Sequence, residues 1–121
     1  MTVIVMRDRF KHAILTALAD KEMVKILDCA TFRAISVNEV MRDTDIPHST
    51  AYRKIRWMLE EGLLHTEKIS LTDDGKKFSL FRSTVRSIVT QYDQGKVIVQ
   101  VEYNINVVEK TAERFFSLSS D

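Results

Sequence analysis

The chain contains a single proline, Pro47, and helical patterns lie on both sides of it. Before it, Ser36 and Glu39 have the spacing of a capping box, in which each side chain satisfies a backbone N–H that the first helical turn leaves free. Because proline is tolerated only near a helix start, a second helix is predicted to begin at Pro47 or His48. Gly62 suits the left-handed position at the end of that helix. The segment is therefore predicted to form two helices joined by a tight turn.

The second predicted helix separates apolar and polar residues onto opposite sides when they are placed at about 100° per residue. The apolar side consists of Ala51, Ile55, Met58 and Leu59. The opposite side carries Ser49, Arg53, Arg56 and Glu60, with Tyr52 at its border. Such a helix is shaped to enter a major groove of DNA, whereas the alternative is a solvated basic face on an ordinary helix. The short helix and the proline turn before it favour a DNA-binding helix-turn-helix.

Charge is distributed unevenly along the 121 residues, although the net charge is only +1. The net charge of residues 48–86 is +3 and that of the rest of the chain is −2. This distribution is compatible with nucleic-acid binding but does not by itself indicate it. Cys29 is the only cysteine, so a disulfide within the chain is excluded and a reducing compartment is expected. There is no apolar run of the roughly 18 residues that a membrane span needs, and no signal-peptide pattern. We therefore expect a cytoplasmic protein without a membrane partner.

Residues that would indicate enzyme chemistry are not arranged for it. His12, His48 and His65 have no metal-ligand spacing with one another or with Cys29. The sequence also lacks a glycine-rich phosphate loop, a nucleophile elbow and paired carboxylates. We expect neither a catalytic activity nor a metal or other cofactor.

The N-terminal part is predicted to be helical from about Asp8, with Asp20 as the N-cap of the next helix. Residues 2–6 (TVIVM) are β-prone and fit either a short strand or a tail packed on a partner. Phe32 and Ile35 are expected to close the core just before the capping box.

Three blocks resemble the ArsR-type winged helix-turn-helix regulators, particularly the small archaeal ones: Ala17–Leu27 (ALADKEMVKIL), Ile46–Ile55 (IPHSTAYRKI) and Glu60–Leu64 (EEGLL). The resemblance spans residues 10–82. It implies a transcription factor that binds DNA as a homodimer through the second helix and a β-hairpin wing. Met23 stands where that family usually has an arginine. The clustered cysteines of the metal-sensing members are missing, so metal sensing is not implied.

A wing is predicted directly after Gly62. Leu63–Leu71 has the composition of a strand, Thr72–Gly75 that of a hairpin loop and Lys76–Arg82 that of the return strand. Lys76 and Lys77 follow the tip, where a wing meets the phosphates of DNA.

A competing interpretation of this region is a helix over residues 74–92 with Thr72 as its N-cap. It is supported by helical spacing of Phe78, Phe81, Val85, Ile88 and Tyr92. The β-prone run that ends at Tyr92 and the turn Asp93–Gly95 argue against it. Residues 96–103 alternate as a half-buried strand, which needs a neighbour. We favour strands.

The predicted fold is thus α+β and one domain over residues 1–121. It consists of a winged helix-turn-helix core over residues 8–82, an additional β-hairpin over 83–104 and a terminal helix over 105–118. That last segment has an apolar stripe ending at Phe115 and Phe116, which fits packing on the core or covering of a dimer partner. Apolar surface at both ends of the chain favours a homodimer.

Two functions remain open. One is a sequence-specific transcriptional regulator that binds double-stranded DNA as a homodimer; the other is a winged-helix module that binds protein within a larger assembly. Phosphate contacts need cations on spaced elements, so the arginines and wing lysines favour the first, whereas the near-neutral net charge keeps the second open. The residues expected to contact DNA are His48, Ser49, Thr50, Tyr52, Arg53, Arg56, Lys76 and Lys77.

Overall fold

Four helices are followed by two antiparallel hairpins in the computed structural model, which describes residues 7–104. The elements are α1 Asp8–Leu18, α2 Lys21–Cys29, α3 Val37–Thr44, α4 His48–Glu60, β1 Leu64–Leu71, β2 Lys77–Ser83, β3 Val85–Asp93 and β4 Lys96–Tyr103. The predicted α+β class and both hairpins are confirmed, and the competing helix over residues 74–92 is not formed. The segments 2–6 and 105–118, for which a strand or tail and a helix were predicted, lie outside the described residues.

The described residues belong to two compact units, 7–83 and 84–104. The first contains the four helices and the hairpin β1–β2, and the second contains the hairpin β3–β4. None of the helices in residues 7–104 has the length and apolar character needed to cross a lipid bilayer.

The helix starts are fixed by the side chains that the sequence indicates. Asp20 Oδ1 accepts the backbone N–H groups of Glu22 at 2.9 Å and Met23 at 3.0 Å, as expected of an N-cap. The capping box is present, because Ser36 Oγ accepts the N–H of Glu39 at 3.2 Å and the Glu39 carboxylate reaches back to the Ser36 N–H. These caps fix where α2 and α3 begin.

The turn between α3 and α4 is as short as predicted. Asp45 adopts a left-handed conformation with φ 62°, and its N–H donates to the Met41 carbonyl at 3.0 Å. Pro47 is the N-cap of α4, which begins at His48. Aspartate tolerates the left-handed region better than most residues, so the local sequence suits this turn.

A glycine ends α4 and starts the first hairpin. Gly62 has φ 82°, and the Leu63 N–H donates to the Met58 carbonyl at 2.8 Å while the Gly62 N–H donates to the Leu59 carbonyl at 3.2 Å. This pair of hydrogen bonds is the Schellman motif, in which a left-handed glycine satisfies the last helical carbonyls. Leu63 and Leu64 are buried directly after it, so the motif directs the chain from helix to strand inside the core.

The core of residues 7–83 is apolar and draws on all four helices and the hairpin β1–β2. Its largest fully buried members are Ile14, Ile26, Ile35, Val40, Met58, Leu63, Leu64 and Phe81. Ile35 is buried as predicted, but Phe32 is 77% exposed, so its assignment to the core was wrong. The reason is local: Thr31–Arg33 form a turn between helices, and a turn directs side chains outward even when the sequence beside it is apolar.

A backbone bridge attaches the hairpin to the helices. Ile35 N–H donates to the Phe81 carbonyl at 2.9 Å, and Phe81 N–H donates to the Ile35 carbonyl at 2.9 Å. Two residues further, the Ser83 N–H donates to the Ala30 carbonyl at 2.9 Å. Because these bonds are buried beside Phe81, they fix the base of β2 against the segment that precedes α3.

One lysine of α4 is buried and paired with two carboxylates at the start of α2. Lys54 Nζ lies 2.6 Å from Asp20 Oδ2 and 2.7 Å from Glu22 Oε1, and the residue is 8% exposed. Burial opposes the charged ammonium, but the hydrogen bonds to Asp20 and Glu22 outweigh it and raise the pKa of Lys54. Burial alone would raise the pKa of Asp20, whereas the hydrogen bond from Lys54 lowers it. The net effect is a lowered pKa of Asp20.

We predict that Lys54→Met destabilises the protein by about 1–3 kcal/mol, because a buried charge-assisted hydrogen bond is removed while the side-chain volume is kept. Chemical denaturation at pH 7 measures the destabilisation as a shift of the midpoint. Lys25→Met is the matched control, since Lys25 is exposed on α2 and its removal should change the stability by less than about 0.5 kcal/mol. Equal effects of the two variants would contradict the structural role of Lys54.

The ion pair between Lys54 and Asp20 should also make the stability of the fold depend on pH in the acid range. A carboxylate whose folded pKa is lowered stabilises the fold above its unfolded pKa, and that contribution is lost as the pH falls through the folded value. The stability difference between wild type and Lys54→Met should therefore be constant from neutral pH down to about 4 and shrink below it. If the stability difference between wild type and Lys54→Met stayed the same in acid, the Asp20 carboxylate would not be the group through which Lys54 stabilises the fold.

Candidate functional site

A groove separates α4 from the hairpin β1–β2 within residues 7–83. It encloses about 630 Å³ and is also bordered by the first residues of α3. Side chains from α4 and from the two strands line it, and among them are His48, Tyr52, Ile55, Arg56, Leu59, Ile69, Lys77, Ser79 and Phe81. Four of the eight residues predicted to contact DNA, His48, Tyr52, Arg56 and Lys77, thus share one groove.

The exposed surface of α4 carries the other predicted residues of that helix. Ser49 and Arg53 are exposed, Thr50 is half-buried, and none of the three lines the groove. Ser49 and Arg53 are four residues apart and therefore lie above each other on one helix face. The predicted set divides into a groove-facing row and an outward-facing row.

His48 and Tyr52 form a small aromatic pair at the start of α4. Their ring centroids are 6.2 Å apart with an interplanar angle of 19°, and Tyr52 is 54% exposed. Offset aromatic stacking at this distance orients both rings. The pair presents the phenol of Tyr52 and the imidazole of His48 beside the groove, where both can donate hydrogen bonds.

The cations of the region differ in their availability. Arg56 Nε lies 3.3 Å from Glu60 Oε1, but both side chains are mostly exposed, so this pair is weak and Arg56 is free to leave it. Among residues 7–104, Arg53 has no hydrogen-bond or ion-pair partner. Lys54 and Arg82 also belong to the positively charged segment 48–86, but both are paired with carboxylates. Lys54 is paired with Asp20 and Glu22, and Arg82 with Glu67.

The tip of the hairpin β1–β2 is closed by Thr72. The Thr72 N–H donates to the Lys76 carbonyl at 2.8 Å, and the Lys76 N–H donates to Thr72 Oγ1 at 2.9 Å. Gly75 has φ 85°, a conformation that favours glycine, and its N–H donates to the Thr72 carbonyl at 3.0 Å. The predicted tip over Thr72–Gly75 is confirmed, with β2 beginning at Lys77.

Lys76 and Lys77 are both exposed but play different geometric roles. Successive side chains of an extended segment point to opposite sides, so only one of the two can face α4. Lys77 lines the groove, and Lys76 does not. The groove therefore has a cation on each wall, Arg56 on the helix and Lys77 on the hairpin.

The hairpin also exposes apolar side chains that the sequence argument missed. Ile69 is 63% exposed and Leu71 is 65% exposed, and they pair with Ser79 and Lys77 in the antiparallel register. Directly paired residues share one face of the hairpin, so Ile69 and Leu71 lie on the same face as Lys77. The alternation in KISL (residues 68–71) was a usable signal for this mixed face.

A metal site and a reactive thiol at Cys29 would each place requirements on the described residues. In residues 7–104 there is no cluster of three or more His, Cys, Asp or Glu side chains able to hold a metal ion. Burial, followed by the nearby carboxylates of Asp43 and Asp28, raises the pKa of the Cys29 thiol. A raised pKa disfavours the reactive thiolate.

No family model matches the chain, and no curated protein matches it. The relation to the ArsR-type regulators accordingly stays a prediction.

Proposed function

We propose that the chain is a sequence-specific transcriptional regulator that binds double-stranded DNA as a homodimer, with no catalytic activity and no cofactor. It would act in the cytoplasm as a winged helix-turn-helix protein. In this proposal α4 is the recognition helix in the major groove and β1–β2 is the wing on the phosphate backbone. The observation that carries the proposal is the set of exposed cations on these two elements, Arg53 and Arg56 on α4 and Lys76 and Lys77 on the hairpin.

The outward-facing row of α4 supports a role in base recognition. Arg53 is exposed and has no hydrogen-bond or ion-pair partner among the described residues. Arginine donates two parallel hydrogen bonds to guanine O6 and N7, the commonest specific contact in the major groove. Ser49 lies one turn before Arg53 and offers a hydroxyl to a base edge or a phosphate.

The start of α4 supports a role in phosphate binding. Pro47 is its N-cap and makes no side-chain cap hydrogen bond, so the first-turn N–H groups are not capped by that side chain. Such N–H groups and the helix dipole favour an anion. His48, Thr50 and Tyr52 surround this end and add further donors.

The side chains that line the groove are compatible with a DNA strand that passes between α4 and the wing. Arg56 and Lys77 stand on its two walls, and the polar groups of His48 and Tyr52 lie beside them. A phosphodiester backbone is an anion at regular spacing, so cations on both walls suit it.

A second candidate function, a protein-binding module, is favoured by the apolar face of the hairpin. Ile69 and Leu71 are more than half exposed, and phosphate binding does not require them. Exposed apolar side chains grouped on one surface tend to mark protein contacts.

Titration of a random-sequence duplex by fluorescence anisotropy at several salt concentrations separates the two functions. The DNA-binding proposal expects binding that weakens linearly in log affinity against log salt. Selection of bound sequences from a random duplex pool should then yield a pseudo-palindromic site. If the protein does not bind duplex DNA at low salt, the result would favour the protein-binding module.

We predict that Arg53→Ala reduces affinity for the selected site by about 1–3 kcal/mol, which corresponds to about 5- to 150-fold. Affinity for random duplex should fall much less, because non-specific binding does not use base recognition. Lys25→Ala, which removes one exposed positive charge from α2, is the control. An equal weakening on both duplexes would remove base recognition from Arg53 and leave it a role at a phosphate.

We predict that the double variant Lys76→Ala/Lys77→Ala lowers the salt slope of binding by nearly two units, about 0.9 for each phosphate that the variant no longer neutralises. All duplexes should weaken alike, because phosphates carry no base identity. Lys21→Ala/Lys25→Ala has the same change of net charge on the exposed surface of α2, and it should leave the slope almost unchanged. An unaltered slope in the first variant would exclude the hairpin tip from the DNA interface.

A further inference from the structure

Residues 96–102 of β4 form a long outer strand edge that pairs with no other strand in the described part of the chain. Residues 84–104 form a two-stranded sheet in which β4 pairs only with β3. The eight residues of β4 extend over about 27 Å and include neither proline nor glycine. Proteins normally block or cover such an edge, because its outward N–H and C=O groups pair readily with another strand.

The turn of this hairpin determines which backbone groups of β4 point outward. Gln94 and Gly95 have φ 48° and 81°, the two positive values of a two-residue type I′ turn. In such a hairpin the residues flanking the turn, Asp93 and Lys96, exchange hydrogen bonds, and every second pair after them does the same. The N–H and C=O groups of residues 96, 98 and 100 therefore face β3. Those of Val97, Val99 and Val101 face outward.

We propose that β4 pairs antiparallel with β4 of a second copy, with the two-fold axis at Val99, and forms a four-stranded sheet across two subunits. This inference deepens the proposed function, because it names the interface of the proposed homodimer. In this register Val99 faces the partner's Val99, and Val97 faces the partner's Val101. Lys96 then faces the partner's Glu102.

Backbone geometry supports this register. Facing residues in an antiparallel pair must both direct their N–H and C=O groups toward each other to form a hydrogen-bonded pair. Val97, Val99 and Val101 all do so on both copies, which gives about six main-chain hydrogen bonds. The backbone alone also permits an axis at residue 98 or 100, because an antiparallel ladder alternates hydrogen-bonded and non-hydrogen-bonded pairs. Such an axis would place Lys96 opposite Gln100, or Glu102 opposite Ile98, so the side chains must decide between these registers.

Apolar side chains favour pairing along this edge. Val97, Val99 and Val101 lie on one face of β4, where Val97 is 38% exposed, Val99 is half-buried and Val101 is buried. Pairing places these valines of the two copies beside one another, and β-branched neighbours across strands stabilise a sheet.

Charge selects the register more sharply. With the axis at Val99, both ends of the paired segment bring a lysine opposite a glutamate. A shift of the axis to Val97 or Val101 places Lys96 opposite Ile98, or Glu102 opposite Gln100, and removes both charge pairs. Glu102 already accepts a hydrogen bond from Ser87 Oγ at 3.2 Å and lies 3.9 Å from Arg86 on the β3 side. It is half exposed, so it can accept a lysine from the outer side as well.

Cross-linking tests the register directly. In a Cys29→Ser background, Val99→Cys should give a disulfide-linked dimer under mild oxidation, because facing Cα atoms in a hydrogen-bonded pair are about 5.5 Å apart. Ile98→Cys is the matched control. The two copies of residue 98 would be about 8 Å apart, beyond the reach of a disulfide. A non-reducing gel and the intact mass measure the difference.

Charge reversal tests the pairing in solution without a cross-link. Sedimentation at several concentrations should show that Lys96→Glu and Glu102→Lys each weaken dimerisation about tenfold or more, since each places like charges opposite at two symmetric positions. The double variant should return the dissociation constant to within about threefold of wild type. The rescue cannot arise within one chain, because residues 96 and 102 are about 20 Å apart on the same strand. Thermal melting checks that each variant is folded.

Several results would overturn the proposal. The first is a wild-type protein that stays monomeric at high concentration, and the second is equal cross-linking at residues 98 and 99. The third is a dimer whose dissociation constant is unchanged by both charge reversals. A chain that dimerises only after deletion of residues 2–6 would show that its own N-terminal segment occupies the edge. DNA is absent from these experiments, so an intact dimer that fails to bind duplex would count against the proposed function alone.

Discussion

The Lys54 ion pair is the interaction on which the orientation of α4 depends. Asp20 uses one carboxylate oxygen to cap α2 and the other to bind the Lys54 ammonium, 2.6 Å away, so a single side chain joins two helices. Lys54 shares its side of α4 with the buried residues Ala51 and Met58. The pair therefore fixes the rotation of α4 about its axis. Arg53, the preceding residue, is directed outward as a consequence.

The groove beside α4 depends on a second constraint, the backbone bridge between Ile35 and Phe81. It holds the base of β2 against the segment before α3, while the Schellman motif at Gly62 brings β1 out of the end of α4. Both strands of the first hairpin are thus attached at their base, and their tip at Thr72–Gly75 projects with its own closed hydrogen bonds. Arg56 and Lys77 then line one groove although 20 intervening residues separate them.

Charge explains why a nearly neutral chain can still present a positive surface. Lys54 and Arg82 are occupied by carboxylates within the fold, whereas Arg53, Lys76 and Lys77 are exposed without such partners among residues 7–104. Binding to a polyanion responds to exposed cations at spaced positions and only weakly to the net charge. The same surface carries Ile69 and Leu71, so the groove is apolar on part of one wall and cationic at its borders.

Local signals in the sequence determined the helix starts at Asp20 and Ser36, the proline turn, and the hairpin tip at Thr72–Gly75, because each depends on hydrogen bonds or φ angles within a few residues. The tertiary structure alone decided that Phe32 is exposed, that Lys54 is buried, and that Lys77 faces the groove while Lys76 does not. Helical spacing of residues 78–92 also fitted a helix, and the strands form because paired neighbours satisfy their backbone groups. Burial and pairing depend on residues distant in sequence, which no local pattern contains.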